Sequence, residues 1–258
     1  MSTPGPACDP RLALILWEPL RPPYGLLLEE AALRECSGPT VIVWRHARSL
    51  IVGRRQEACE EVRCETASRL GVQVFRRSSG GGTVYHDPGN INFSLVCPET
   101  RLGVDTLYRE GLGLLWGWLA SLGVMPVEAR NYNDTVYRGW KISGSSGYTS
   151  RRGSLFHATL LVSADTSMLR ALLDPPVEEM VRRGVDPVKY RPRNLSSMHP
   201  HIDVWKAYSA VERFLRGKGV LVEHAIPARL YAVMLDGAVR VQFQSLKVGL
   251  PALQSKPE

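Results

Sequence analysis

Apolar and polar residues along this chain fall into short runs whose period changes repeatedly. Residues 12–17, 41–44, 49–53, 72–75, 84–85 and 90–96 are apolar or β-branched runs set between turn residues, and each reads as a strand. Further strand patterns occupy 135–137, 141–143 and 156–163. Helical spacing appears over 24–36, where Leu27, Leu28, Ala31 and Leu33 recur among Glu29, Glu30, Arg34 and Glu35. It returns over 57–70, which stops at Gly71, and over 104–122, which stops at Gly123. Residues 166–173 and 176–183 also read as helices, and 202–216 carries Trp205, Tyr208, Val211 and Leu215 on one stripe. The tail pattern, 230–235, an Asp236-Gly237 turn and 238–243, predicts a β-hairpin, with 249–258 a loose end. Strands and helices mix without strict alternation, so the expected class is α+β, a mixed β-sheet flanked by helices. One domain is expected over 1–222, with a short extension over 223–258.

Composition narrows the setting. At 258 residues, 44% hydrophobic and 22% charged, the chain can bury a full core. No apolar run approaches the roughly 20 residues of a membrane helix, and no basic leader precedes residues 12–17, so a soluble cytoplasmic protein is expected. Five cysteines, an odd number without disulfide-like or zinc-like spacing, predict reduced thiols. The net charge of +7 comes mostly from arginine and asks for an anionic partner. Zinc-finger, helix-turn-helix and aromatic RNA-binding patterns are missing, which favours an acidic protein over nucleic acid.

Candidate chemistry concentrates in residues 76–94. After the strand-like run come Arg76-Arg77-Ser78-Ser79, then Gly80-Gly81-Gly82 and Thr83-Val84-Tyr85-His86-Asp87. Three glycines let a ligand lie against the backbone and reach its N–H groups. Arg76 or Arg77 can neutralise a phosphate or carboxylate there. A plain turn between strands is the competing reading, and the paired arginines weigh against it.

A second constellation spans 131–163: Asn131, Asn133, Asp134, then Lys141-Ile142-Ser143-Gly144, then His157. A lysine beside Ser-Gly, in a chain with few lysines, can hold its ammonium over a developing charge. Asp134 reads as a Mg²⁺ or amine contact or as a turn residue, with the turn favoured for a lone aspartate. His157 fits a buried core position as well as a pocket one. The histidines show no metal-ligand spacing.

These two motifs, in this order, resemble the lipoate–protein ligase family, which is grouped with biotin ligases and octanoyltransferases. The similarity runs from about Tyr24-Gly25-Leu26 to Asn194-Leu195-Ser196-Ser197 and includes Trp44-Arg45 and Ile51-Val52-Gly53-Arg54. It implies a class II aminoacyl-tRNA synthetase-like catalytic domain over 1–222. It also implies adenylation of lipoate or octanoate by ATP with Mg²⁺, then transfer to a lysine of a lipoyl carrier. Carriers of this kind are the lipoyl domains of 2-oxoacid dehydrogenases and the glycine cleavage H protein. Carried over by motif, Lys141 becomes the catalytic cation. Arg77, Ser79, Gly80, Gly81 and Gly82 line the acyl-adenylate, with Ser143 and Gly144 beside it. Asn133 sits near the nucleotide and Asp134 near Mg²⁺. Trp44, Val84, His86 and His157 surround the dithiolane and its aliphatic tail, and Asn90 closes the binding motif.

Departures from the family are Ala158 where glycine often follows the histidine, Ser146 where alanine often stands, and the absence of an accessory C-terminal domain. A separate accessory subunit would supply that domain. The alternatives are an ATP-independent acyl transferase and a non-catalytic carrier-binding subunit. The first lacks its cysteine: Ser154 stands at the matching position, and no cysteine follows Cys97.

Overall fold

Strand alternation decides which residues meet the helices and which line the site. The computed structural model describes residues 7–242. Its elements begin with β1 (Leu12–Ile15), α1 (Tyr24–Glu35), β2 (Thr40–Trp44) and β3 (Ser49–Val52). Two short helices, α2 (Ala58–Glu61) and α3 (Cys64–Arg69), precede β4 (Gln73–Arg76), β5 (Val84–His86) and β6 (Asn90–Pro98). Helix α4 (Val104–Ser121) leads to β7 (Glu128–Arg130), β8 (Asp134–Tyr137), β9 (Trp140–Ser150) and β10 (Gly153–Leu161). Then come α5 (Thr166–Leu172), α6 (Val177–Arg182) and a 3-10 turn, Pro187–Tyr190. The last elements are α7 (Leu195–Met198), α8 (Val204–Gly217), β11 (Leu221–Glu223) and α9 (Ala228–Gln242).

The main sheet has the order β11-β1-β2-β6-β10-β9-β8-β7, parallel across its first three strands and antiparallel beyond. A small sheet, β4-β3-β5, stands apart and carries the glycine loop between β4 and β5. This is the mixed sheet flanked by helices that the sequence pattern predicts.

Each strand sends alternate residues to opposite layers. Val41, Val43, Phe93, Leu95, Phe156 and Ala158 share one core with Trp118 of α4 and Tyr208 of α8. Burying a phenylalanine such as Phe93 or Phe156 stabilises the fold by roughly 3 kcal/mol. Ile42, Trp44, Val96 and Leu155 face the other way, toward Leu28 and Ala31 of α1 and Leu230 and Met234 of α9. On that second face β6 and β10 carry Asn92, Ser94, His157 and Thr159, buried or nearly so. Polar residues at the centre of a sheet mark where the α1 side ceases to be core and becomes a site.

Four expectations change. The tail forms α9 instead of a hairpin, because Leu230 and Met234, four residues apart, both pack into the α1 layer. Asp236 and Gly237 lie inside that helix, and Gly237 faces Leu27 closely enough that a Cβ would sit 3.0 Å from it. The expected loose end falls outside the described residues. The segment 57–70 breaks into α2 and α3, because Val62 is extended, buried and bridged to Leu173. The cysteines are not all thiols: Cys8 pairs with Cys97 and Cys59 with Cys64, with Cα atoms 5.9 and 5.6 Å apart, leaving Cys36 free and buried. Cys8 and Cys97 are 89 residues apart in sequence, and only the packing against β6 brings them together. On α8 the stripe holds for Tyr208, Val211 and Leu215, whereas Trp205 is exposed and stacks on Trp17 at 5.7 Å.

Candidate active site

The glycine loop is shaped from within by Arg77. Its guanidinium, 7% exposed with its residue, donates to the carbonyls of Ile51 at 3.0 Å, Gly80 at 2.6 Å and Gly82 at 2.8 Å. Its Nε donates to Ser79 Oγ at 3.0 Å. Burial lowers its pKa to about 10, while Glu29 and Glu61 pull the other way, so it remains a cation at neutral pH. Arg76 turns outward and binds the carbonyls of Gly53 and Gln56. Arg77 thus spends its hydrogen bonds on β3 and the glycine loop, and Arg76 on the turn after β3. Gly81 adopts φ +90°, a left-handed conformation suited to glycine. Among the described residues, the N–H groups of Gly80, Gly81 and Gly82 have no hydrogen-bond partner, and Gly81 and Gly82 line the cleft.

Ser79 Oγ lies 2.6 Å from His157 Nε2, and His157 Nδ1 lies 3.1 Å from Glu29 Oε2. Glu29, buried on α1, also accepts from Ser94 Oγ at 2.5 Å, and Ser94 accepts from Trp44 Nε1 at 3.1 Å. A serine, histidine and carboxylate in line is also the arrangement of a nucleophilic triad. Here the serine is 0% exposed and already accepts from Arg77, so the line holds the loop.

Behind the loop, His46 and His86 are buried. Gly25 N–H donates to His46 Nε2 at 3.0 Å, His46 and His86 meet through their Nδ1 atoms at 3.4 Å, and His86 Nε2 reaches Thr159 Oγ1 at 3.2 Å. Thr159 donates onward to Asn92 Oδ1 at 2.7 Å. The directions agree only if His46 carries its proton on Nδ1 and His86 on Nε2, both neutral. Burial enforces this: it lowers His46 to about 3 and, with help from His46 and Arg77, holds His86 well below its usual range.

Facing the loop, Lys141 Nζ lies 2.6 Å from Asp134 Oδ1. The β8–β9 register shifts between Thr135 and Val136, so Ile142 has no opposite residue and the strict alternation of β9 is broken. Lys141 can then lie over Gly144, where a Cβ would come within 3.1 Å of its Cε and Nζ. Asn131 Nδ2 donates to Asp134 Oδ2 at 3.1 Å, and Asn133 Nδ2 to Ser145 O at 2.8 Å. Past the 3-10 turn, the segment joins Lys141 by Lys141 N–H to Arg191 O and Arg193 N–H to Lys141 O. Arg191 and Arg193, unassigned from sequence, place their guanidinium carbons 4.5 and 4.3 Å from the Trp140 ring centroid.

One cleft of about 660 Å³, part of it open to solvent, joins these groups. Of the sequence-derived residues it gathers Trp44, Arg77, Gly81, Gly82, Val84, His86, Asn133, Asp134, Lys141, Gly144 and His157. Ser79 and Gly80 act behind its wall. Asn90 lies elsewhere, with Nδ2 on Tyr85 O, and Ser143 is buried outside the lining. Of the expected binding residues, Asn90 and Ser143 are not among those that line the cleft. Ser154 is buried and bonded to Thr100 O and Leu102 N, which leaves it no role as an acyl acceptor. Sequence reasoning missed Glu29, Ser146 and Lys189. Glu29 reads as the polar face of an amphipathic helix. Ser146, a departure from the family pattern, donates to Gly80 O at 2.9 Å and becomes another loop contact. Among the described residues no helix is long and apolar enough to cross a membrane.

Comparison with known proteins fits this geometry. The lipoyl protein ligase A/B catalytic domain matches residues 21–216. A provisionally named lipoate-protein ligase A of Aeropyrum pernix is 36% identical over 221 residues, 81% of this chain and 83% of that protein. A bipartite lipoate protein ligase of Thermoplasma acidophilum, described with its E2 lipoyl domain, superposes with a TM-score of 0.70 at 26% identity, covering 89% of this chain and 91% of that one. A lipoate-protein ligase A bound with ATP shares the fold, with a TM-score of 0.72 at 24% identity over 87% of this chain and 93% of that one. The chain belongs to the lipoyl protein ligase A/B catalytic-domain family.

Proposed function

We propose that this protein is an ATP-dependent lipoate–protein ligase, acting in the cytoplasm on the lysine of a lipoyl carrier domain. The observation that carries the reading is the cleft itself. The unpaired backbone N–H groups of Gly81 and Gly82 share one cleft with the lysine–aspartate pair and with an apolar wall of Trp44, Ile51, Val84 and Ala158. The apolar wall suits the aliphatic tail and dithiolane, and the polar mouth suits a phosphate anhydride.

In the first step a lipoate carboxylate oxygen attacks the α-phosphorus of ATP. The new P–O bond forms as the bond to the β-phosphate oxygen breaks, and pyrophosphate leaves. Lys141 balances the charge that grows on the α-phosphate, and Gly81 and Gly82 donate to the anhydride. In the second step the carrier amine attacks the acyl carbon, AMP leaves, and an amide forms with loss of a proton. The loop keeps water from the adenylate between the steps. Asp134 is a carboxylate at the cleft beside Lys141, and a single carboxylate suits Mg²⁺ that is held mainly by substrate phosphates. There Mg²⁺ would screen the phosphate charge. Lys189 in the lining, with exposed Arg191 and Arg193 joined to the Lys141 backbone, gives this side a basic character that suits an acidic carrier. A separate accessory subunit, as in the bipartite relative, would complete the adenylation machinery.

The test is pyrophosphate release from ATP and lipoate, followed by the mass of an added lipoyl domain. Release with a lipoyl mass shift is expected, either from the chain alone or with its accessory subunit. Failure to modify the domain even from supplied lipoyl-adenylate would overturn the reading.

A further inference from the structure

The glycine loop is held from outside as well as from inside. Glu61, the last residue of α2, accepts from Thr83 N–H at 2.7 Å, directly after the three glycines. It stands so close that a Cβ on Gly82 would meet its Oε2 at 3.1 Å. Gln56 supports the same edge, taking Gly53 N–H at 2.9 Å and the Thr83 hydroxyl at 3.3 Å. Glu61 is itself tied down: its carbonyl accepts from Asp174 N–H at 2.8 Å, and the next residue, Val62, is buried against Leu173. Cys59 and Cys64 close a covalent ring around this stretch, five residues apart, with Glu61 inside it. Cys59 is exposed and Cys64 half-buried, whereas Cys8 and Cys97 lie in the core.

We infer that Glu61 is a positioning residue for the glycine loop, and that the Cys59–Cys64 disulfide fixes it there and makes substrate binding sensitive to thiols. A four-residue helix such as α2 is too short to persist by itself. Opening the ring returns that helix to the unfolded alternatives that the crosslink excluded. The Glu61 carboxylate then loses its fixed place below Thr83. On the ligase reading, the loop presents the acyl-adenylate site, so Glu61 acts on adenylation without touching substrate. The exchange is balanced: a small dithiol gives its two hydrogens to Cys59 and Cys64 and becomes a cyclic disulfide.

The experiment uses the full chain, oxidised and after brief dithiothreitol treatment, with the two released thiols located by alkylation and mass spectrometry. Hydrogen exchange of the peptide over 78–84 and the KM and kcat for lipoate are then read together. Reduction is expected to raise both exchange in the loop and the KM about tenfold, the scale of one lost hydrogen bond to a charged group, with a smaller change in kcat. Glu61→Ala should show both effects without reductant and respond to it no further. Glu61→Gln, whose amide oxygen can still accept from Thr83, should recover most of the protection. Cys59→Ser with Cys64→Ser should behave as the reduced protein and be insensitive to dithiol. Unchanged loop exchange on reduction, or a full dithiol response in Glu61→Ala or in the double serine variant, would overturn the inference. The expected exchange pattern in a chain that never modifies a lipoyl domain would support the positioning role and reject the ligase reading.

Discussion

Lys141 Nζ and Asp134 Oδ1 are 2.6 Å apart, on an aspartate side chain only 1% exposed. The pair therefore does two things at once: it presents a cation to the cleft and neutralises a buried carboxylate. Lys141→Met keeps the aliphatic stem and removes the charge. Pyrophosphate release should vanish, and stability should fall by about 3 kcal/mol because a buried charge loses its partner. Adding Asp134→Asn should restore most of that stability and none of the activity. Chemical denaturation and a pyrophosphate assay separate the two effects; undiminished adenylation by a folded Lys141→Met protein would remove Lys141 from the chemistry.

The line Glu29–His157–Ser79–Arg77 predicts coupling. Glu29→Ala leaves His157 Nδ1 without its carboxylate, and the ring no longer anchors Ser79. Lipoate affinity should drop about tenfold, the scale of one charge-assisted hydrogen bond. Since both residues act through the same contact, Glu29→Ala with His157→Ala should cost little more than His157→Ala alone. Titration calorimetry reads this directly, and strictly additive losses would mean that the line does not work as a unit.

The neutral pair His46–His86 sets an acid limit. Both pKa values are lowered by burial, His46 to about 3, so the unfolded chain binds protons more readily below the ordinary histidine range. The stability they contribute is complete above about pH 6.5 and declines as pH falls toward 3, by about 1.4 kcal/mol per pH unit for each histidine. His46→Asn should flatten that slope by roughly one histidine's share. Denaturant midpoints between pH 7 and pH 4 measure it; equal slopes in both proteins would show that His46 is not held neutral.

Most strands and the long helices were legible because alternation and helical spacing are local signals. So were the glycine loop and Lys141, whose motifs are contiguous in sequence. What escaped depends on distant partners. Glu29 looks like any solvated glutamate until β6 and β10 bring Ser94 and His157 to it. Cys8 finds Cys97 across 89 residues, and local spacing cannot announce that. Residues 230–242 match a hairpin with an Asp-Gly turn and also an amphipathic helix, and the α1 layer selects the helix. Ser143 and Lys141 are two apart and would share a face in a regular strand. The register shift at Thr135/Val136 separates them, leaving Lys141 in the cleft and Ser143 out of it.

Two glycines should fail in different ways when a methyl group is added. A Cβ on Gly111 of α4 would lie 2.3 Å from the Phe156 ring, in the core where α4 meets β10. Phe156 is 0% exposed and hemmed in, so Gly111→Ala should cost about 1–3 kcal/mol through overpacking while the cleft chemistry survives in the folded fraction. A Cβ on Gly53 would lie 2.1 Å from the backbone oxygen of Gly81. That atom is backbone of the loop that Arg77 and Ser146 hold in place, so relieving the clash means displacing the loop. Gly53→Ala should therefore push Gly81 toward the cleft and lower adenylation at least tenfold, with a smaller loss of thermal stability than Gly111→Ala. Melting curves beside pyrophosphate release distinguish the two. A Gly53→Ala protein with full activity would mean that the loop adjusts without disturbing its donors, and the close approach of Gly53 to Gly81 would then be a packing detail only.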